Sequence, residues 1–146
     1  MKTKNREEKS FKEAVLKAGK SFWKTLPLIL GTILLVSLIV TLIPKSFYLK
    51  VFTQNFLSDS FIGSLIGSIS AGNPITSYIL GGELLGQGVG LIAVTAFLVA
   101  WVTVGVIQLP AESIILGKKF AIWRNVLSFV FAIIVALITV AILGVV

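Results

Sequence analysis

The sequence predicts an all-α integral membrane protein, and three observations carry that expectation. Of 146 residues, 56% are hydrophobic and 13% charged, with a mean hydropathy of +1.01, so the bilayer is the solvent this chain suits. Uncharged runs occupy Leu26–Ile43, Val89–Ile107 and Val126–Val146, each close to the about 20 residues that a hydrocarbon layer requires. Between the first two lies a shorter apolar stretch that is interrupted by Gly72, Asn73 and Pro74. The expected architecture is therefore three full transmembrane helices plus a broken or re-entrant helical hairpin at residues 61–85, preceded by an amphipathic N-terminal helix. Residues 1–25 form a basic cytoplasmic tail and interfacial helix in this reading, and residues 26–146 a single transmembrane domain.

Composition also excludes several functions. Cysteine and histidine are absent, which removes disulfides, thiolate nucleophiles, Cys or His metal sites and the side chain most used for proton transfer near neutral pH. The acids deepest in the apolar part, Glu83 and Glu112, have no nucleophile and base beside them in the sequence, so an enzyme is disfavoured and no cofactor or metal is expected. The net charge is +7, but eight of the thirteen basic residues precede Leu26. A membrane surface fits that asymmetry, and nucleic acid is not an expected partner.

Residues 1–9 have no apolar periodicity and read as a tail, after which Ser10 to Glu13 match a capping box that starts a helix. Phe11, Ala14, Val15, Ala18 and Phe22 recur on one side of it, with Lys12, Lys17, Lys20 and Lys24 around the rest. This describes a helix lying on an anionic leaflet, or a cytosolic extension of the first span. It does not read as a signal peptide, because the charged region is long and no small-residue cleavage pattern follows. Leu26–Ile43 carries Pro27 in its first turn and stops at Pro44. Lys45–Ser60 is an interfacial connector, and Gln108–Asn125, with Lys118, Lys119 and Arg124, is another.

Residues 61–70 and 75–85 are each long enough for only about 15 to 17 Å of helix, roughly half a membrane. They either stack into one interrupted crossing or turn back at Ala71 to Pro74. Basic residues collect on the cytoplasmic side of membranes. With the N-terminus inside, a crossing would leave Lys118, Lys119 and Arg124 outside, whereas a hairpin brings them inside with the first basic cluster. The hairpin is favoured, in a multi-pass protein of the cytoplasmic membrane.

Irregular backbone at membrane depth is tolerated where it is buried in protein or lines a water-filled cavity. Gly72 permits close approach, Asn73 supplies donors and an acceptor, and Pro74 pre-sets a helical turn. The helix start that follows brings Thr76 and Ser77 within reach, so Gly72, Asn73, Pro74, Thr76 and Ser77 are candidate substrate-binding residues. A packing kink whose polar groups satisfy one another is the structural alternative. Glu83, two turns on, is either a solvated carboxylate near the outer interface or a coupling group. "PAESIILG" from Pro110 matches "PITSYILG" from Pro74 at five of eight positions, either as an internal echo or by coincidence. An echo makes Pro110 the start of a second short helix, with Gln108 and Glu112 as further candidates. Gly63 with Gly67, and Ala96 with Ala100, mark faces that should meet protein rather than lipid. Trp101 is expected to pack in the bundle.

The segments "IGSISAGNPITSYILGGELLGQGV" and "VTAFLVAWVTVGVIQLPAESIILGKKFAIWRN" together resemble the YraQ-like predicted permeases, a group with arsenical permease-like members, over residues 61–125. The resemblance implies a multi-spanning permease built from related halves, each with a Gly- and Pro-rich broken element. It carries over Gly67, Gly72, Pro74 and Gly81, and with them Pro110 and Glu112 as a second part. This chain is about half the size of the longer members, which implies a homo-oligomer or a second half-size subunit. It lacks their cysteines, so an arsenical substrate is not carried over. The functional expectation is a half-size permease moving a small solute or ion, with a non-transporting membrane scaffold or assembly subunit as the alternative. No GxxxxGK[ST] loop is present to use ATP.

Overall fold

The computed structural model describes residues 2–70 and 72–144, with side-chain environments from residue 12 onward apart from residue 40. Ala71, one of the expected turn residues, lies outside these. Seven helices and no strand occur among the described residues. They are α1 (Lys2–Leu42), α2 (Lys45–Val51), α3 (Phe56–Ile69), α4 (Pro74–Gly86), α5 (Leu91–Thr103), α6 (Leu109–Leu116) and α7 (Lys118–Ile142). Within α1 the stretch Lys12–Ile39, and α7 in full, are long and apolar enough to cross a membrane. Three full spans are not seen.

The first departure from the sequence reading is α1. It is a single helix of 41 residues, about 60 Å at 1.5 Å per residue and so twice a hydrocarbon core. Ser10 to Glu13 lie inside it and start nothing, residues 2–9 are helical, and Pro27 is interior rather than in a first turn. The boundary expected after residue 25 falls in mid-helix. Val15 and Phe22 stand exposed, while Phe11 is outside the described side chains. The basic half is thus continuous with the apolar half in one helix.

The second departure is Val89–Ile107, which is not one span. Helix α5 holds 13 residues and ends at Thr103, with Val104 extended at φ −99° and ψ 117°. Valine and threonine alternate from Val102 to Val104 and Gly105 follows, a sequence that favours extended over helical backbone. The chain resumes as α6, with Pro110 in its first turn. Gly117 has φ 87°, a conformation that costs glycine little and other residues more, and it reverses the chain into α7. Helix α7 begins at Lys118, so the expected connector at 108–125 is mostly helix. Likewise α3 begins at Phe56, inside the first expected connector, because Asn55 caps it by accepting from the Leu57 amide at 3.2 Å.

Helix α5 is the centre. Ile92 and Ala96 pack with Ala136 and Val140, and Ala100 and Val104 with Ala132, so α5 and α7 are antiparallel. Along α3 the numbering rises in step with α5: Gly63 abuts Ala93, and Gly67 abuts Phe97 and Ala100. Helix α4 runs the other way, with Gly72 against Trp101 and Gly81 against Val94 and Leu98. The chain therefore turns back between α3 and α4, as the charge argument expected. The arms of this hairpin do not pack on each other; α5 lies against both.

The contact that fixes this arrangement is backbone to backbone. A Cβ added to Gly63 would overlap the Ala93 carbonyl, and one added to Gly67 would overlap the Phe97 carbonyl. Ala96 and Ala100 have no exposed surface. In lipid, where apolar side chains gain little by leaving the solvent, such close approach and its dispersion contacts hold helices together. Gly63→Val or Gly67→Val is expected to lower stability by about 3 kcal/mol or more, beyond ordinary overpacking because backbone must move. Gly82→Val, at a glycine with open space around it, is expected to change stability by less than about 1 kcal/mol, its cost being that of a surface substitution. Unfolding in increasing dodecyl sulfate would measure all three.

Candidate functional site

The two interruptions meet in space. Ser70 and Gly72 of the first, Gly105 and Gln108 of the second, and Trp101 and Arg124 beside them border a polar cavity of about 80 Å³. The antiparallel run of α4 against α5 brings them together, since the tip of the hairpin and the end of α5 reach the same level.

Around the first break the capping groups find partners locally. Asn73 accepts from the Ile75 amide at 3.0 Å through its side chain and from the Thr76 amide at 2.9 Å through its carbonyl. Pro74 occupies the first helical position, where its missing amide costs nothing. Ser77 is fully buried and its hydroxyl donates to the Pro74 carbonyl at 2.7 Å. Ser70 donates to Ile66 through its hydroxyl at 2.7 Å and to Gly67 through its amide at 3.2 Å. Asn73, Pro74 and Ser77 thus act as local capping groups, and Thr76 is half-buried beside them.

The second break depends on α7. Gly105 loses its helical acceptor and donates instead to Asn125 Oδ1 at 2.7 Å. Asn125, 5% exposed, donates through Nδ2 to the Ala121 carbonyl at 2.9 Å and to Glu112 Oε2 at 3.2 Å. Arg124 grips the same carboxylate with both Nε, at 3.1 Å from Oε2, and Nη2, on Oε1. A bidentate guanidinium and an amide therefore hold Glu112, leaving Arg124 Nη1 outside that grip. Gln108 stands at the cavity, with Oε1 3.0 Å from where a Gly105 Cβ would lie.

Of the residues expected from sequence, Gly72 and Gln108 border the cavity and Glu112 reaches it through Arg124. Glu83 does not belong to it. It is half-buried near the other end of the hairpin, accepting from Gln87 Nε2 at 3.4 Å. Glu83 instead borders an apolar cavity of about 230 Å³ between the hairpin arms, with Gly63 and Ile66 on one side, Leu80 on the other and Phe97 and Trp101 behind. Ile39 and Tyr48, from α1 and α2, cover it. A larger recess of about 430 Å³, past Val99, Phe120, Trp123 and Phe131, is an open and mainly apolar trough along α7 that Arg124, Thr103 and Ser128 also border. Gly81 packs against Leu98 and Val94.

Three polar residues of consequence escaped the sequence reading. Asn125 and Arg124 looked like connector residues, and only the fold of α6 against α7 sets them opposite Glu112. Asp59 has no exposed surface, and its two oxygens accept from the Thr53 and Gln54 amides at 2.9 Å each. It ties the turn after α2, where Gln54 has φ 63°, to the first turn of α3, where a carboxylate also suits the helix dipole. An Asp four residues after Asn55 was the available signal. Ser64, wholly buried, has a hydroxyl with no partner among the described residues.

No family model, curated protein or solved structure matches this chain. Its fold and site define an all-helical protein with two membrane-length apolar helices around a core of shorter ones.

Removing one member of the Glu112 cluster strands the others. Glu112→Gln is expected to lower stability by about 1–3 kcal/mol, between the values for exposed and buried ion pairs because the pair is partly shielded. The double variant Glu112→Gln/Arg124→Gln is expected to recover part of that loss, which a dodecyl sulfate double-mutant cycle would read. Asn125→Leu leaves the Gly105 amide unmet and is expected to cost about 1–3 kcal/mol in the same assay.

Proposed function

We propose that this chain is a half-size membrane permease of the cytoplasmic membrane, moving a small solute or ion past the meeting point of its two breaks. The observation that carries the reading is the convergence of Ser70, Gly72, Gly105 and Gln108 on one polar cavity inside an otherwise apolar bundle. Interrupted helices of this kind line solute sites in secondary transporters, because their freed backbone needs a polar or watered cavity. The resemblance of residues 61–125 to YraQ-like permeases points the same way. So does the echo at Pro110, since Pro74 and Pro110 each open a short helix after a break.

In this proposal the hairpin α3–α4 is re-entrant. Asp59 and Gly90 share one end of the bundle with Val140, which puts Lys118 and Lys119 at the far end of α7. The N-terminal basic half of α1 then lies on that far side too, and both clusters are cytoplasmic. Few packed contacts join α1 to the rest, chiefly near Ile39 and Ile43, and its exposed apolar surface suits lipid or a second subunit. The functional unit is a homo-oligomer or a pair with another half-size subunit, and transport proceeds by rocking of α3–α5 against α7.

The natural absence of cysteine makes the topology directly testable. Gly86→Cys is expected to react with a membrane-impermeant maleimide from outside, Lys118→Cys only from inside, and Asn73→Cys weakly. Reaction of Gly86→Cys from inside and Lys118→Cys from outside would overturn the re-entrant arrangement. Purified protein in liposomes is expected to give saturable solute counterflow that Gly72→Val abolishes; a scaffold gives none for any solute.

A further inference from the structure

We infer that the apolar cavity between the hairpin arms and the polar cavity at the breaks form one binding site for a small amphiphile, whose oxygen-acceptor end is received beside Trp101 and Arg124. Trp101 and Ser70 border both cavities, so the indole is the partition between them. The ring is held edge-on to Phe97, with centroids 5.4 Å apart and planes at 72°. Its Cζ2, on the same edge as the indole nitrogen, faces Gly72 at 3.2 Å from where a Cβ would lie. Among the described residues the buried Nε1–H meets no acceptor. A buried donor left unmet is costly, and it is the group that an incoming acceptor would satisfy.

The side chains of the polar end, through the unmet indole N–H and the Arg124 guanidinium, favour an acceptor over a cation. Arg124 is the charged side chain at that cavity, and Nη1 is outside its grip on Glu112. Glu112, which Arg124 grips, is occupied by Arg124 and Asn125, and Glu83, which borders the apolar cavity, accepts from Gln87. The hydroxyl hydrogens of Ser70 and Thr103 go to the Ile66 and Val99 carbonyls. Beside the released carbonyls at the end of α5, the side-chain donors left to greet a ligand are the indole N–H, a guanidinium edge and the Gln108 amide nitrogen. The body of the ligand lies in the 230 Å³ cavity, against Ile66, Leu80 and Phe97, an apolar chamber with a few polar groups at one end, as ligand sites are generally built. The lack of a Cβ at Gly72 lets the indole edge lie close against the backbone there.

The site rests on the permease reading only for its role in transport, and its binding is measurable apart from flux. In the Trp23→Phe/Trp123→Phe variant of the full chain, Trp101 is the sole indole. Titration in detergent with hexanoate, hexanamide and hexylammonium is expected to change its emission saturably for the first two and not for the third. Hexanoate binding about tenfold tighter than hexanamide identifies a charge-assisted contact to Arg124, and equal binding identifies a neutral acceptor; both support the site. Gln108→Leu, at an exposed position, is expected to weaken hexanoate binding by about threefold or more, the loss of one hydrogen bond, without altering thermal unfolding. Saturable binding of hexylammonium as tight as hexanoate, or no saturable response to either oxygen-bearing probe, overturns the inference. Binding of hexanoate without counterflow of any solute keeps the site and refutes the permease. Counterflow of another solute with no such binding does the reverse.

Discussion

The close approach of α3 to α5, made possible by Gly63 and Gly67, is the constraint on which the rest of the fold depends. Two helices whose backbones touch leave no room for side chains between them, so α5 is drawn into the centre, with its alanines facing α3 on one side and α7 on the other. That placement has a consequence for α4. It must lean on α5 as well, through Gly81, and cannot also reach α3. The space between the hairpin arms is the geometric result, and α1 and α2 close it with Ile39 and Tyr48. The apolar cavity is thus a product of how tightly two other helices pack.

The two breaks solve the same problem by different means. Backbone amides and carbonyls released from a helix need partners, and in an apolar setting water supplies few. The first break finds them within a few residues, through Asn73, Ser77 and Ser70. The second borrows them from α7, where Asn125 takes the Gly105 amide and is itself tied to Glu112. A self-contained break involves its own hairpin alone. A borrowed one couples two elements, so any shift of α7 relative to α5 is felt at Gly105, at the Glu112–Arg124 pair and at the cavity they border. Trp101, between them, joins the polar region to the apolar one.

Much of this was legible in the residues. Most of the apolar runs at Leu26–Ile43 and Val126–Val146 falls in the two membrane-length helices, which end at Leu42 and Ile142, and Gly72 to Pro74 marked a true interruption. The distribution of lysines argued for a hairpin, and the chain does turn back there. The GxxxG and AxxxA faces meet protein: Gly67 meets Ala100, Gly63 meets Ala93, and Ala96 turns to α7. The eight-residue echo falls on two short helices that each carry a proline in the first turn. What misled was treating hydropathy as a measure of helix length. Val89–Ile107 is uniformly apolar, so nothing in its composition distinguishes a span from a half-helix followed by a turn; the β-branched run before Gly105 was the only local sign. In the same way, Lys118 to Asn125 looked like a connector because it is polar, although polar residues extend helices as readily as apolar ones do when a span protrudes beyond the membrane.

The sequence by itself pointed to an apolar solvent, to the break at Gly72 to Pro74 and to the glycine face on which α3 meets α5, since each follows from local chemistry: hydropathy, proline and glycine geometry, and small-residue spacing. It also determined that no thiol or imidazole chemistry can occur. Only the tertiary structure decided which polar residues act together. Glu112, Arg124 and Asn125 lie twelve and thirteen positions apart and are joined by the reversal at Gly117. Asp59 is tied to a turn whose unusual backbone no periodicity announces. Glu83 and Gln108, equal candidates in the sequence, are separated into an apolar and a polar cavity because α4 and α5 run in opposite directions. Partnership across helices depends on register and direction, which are set by the sum of many weak packing contacts rather than by any single residue.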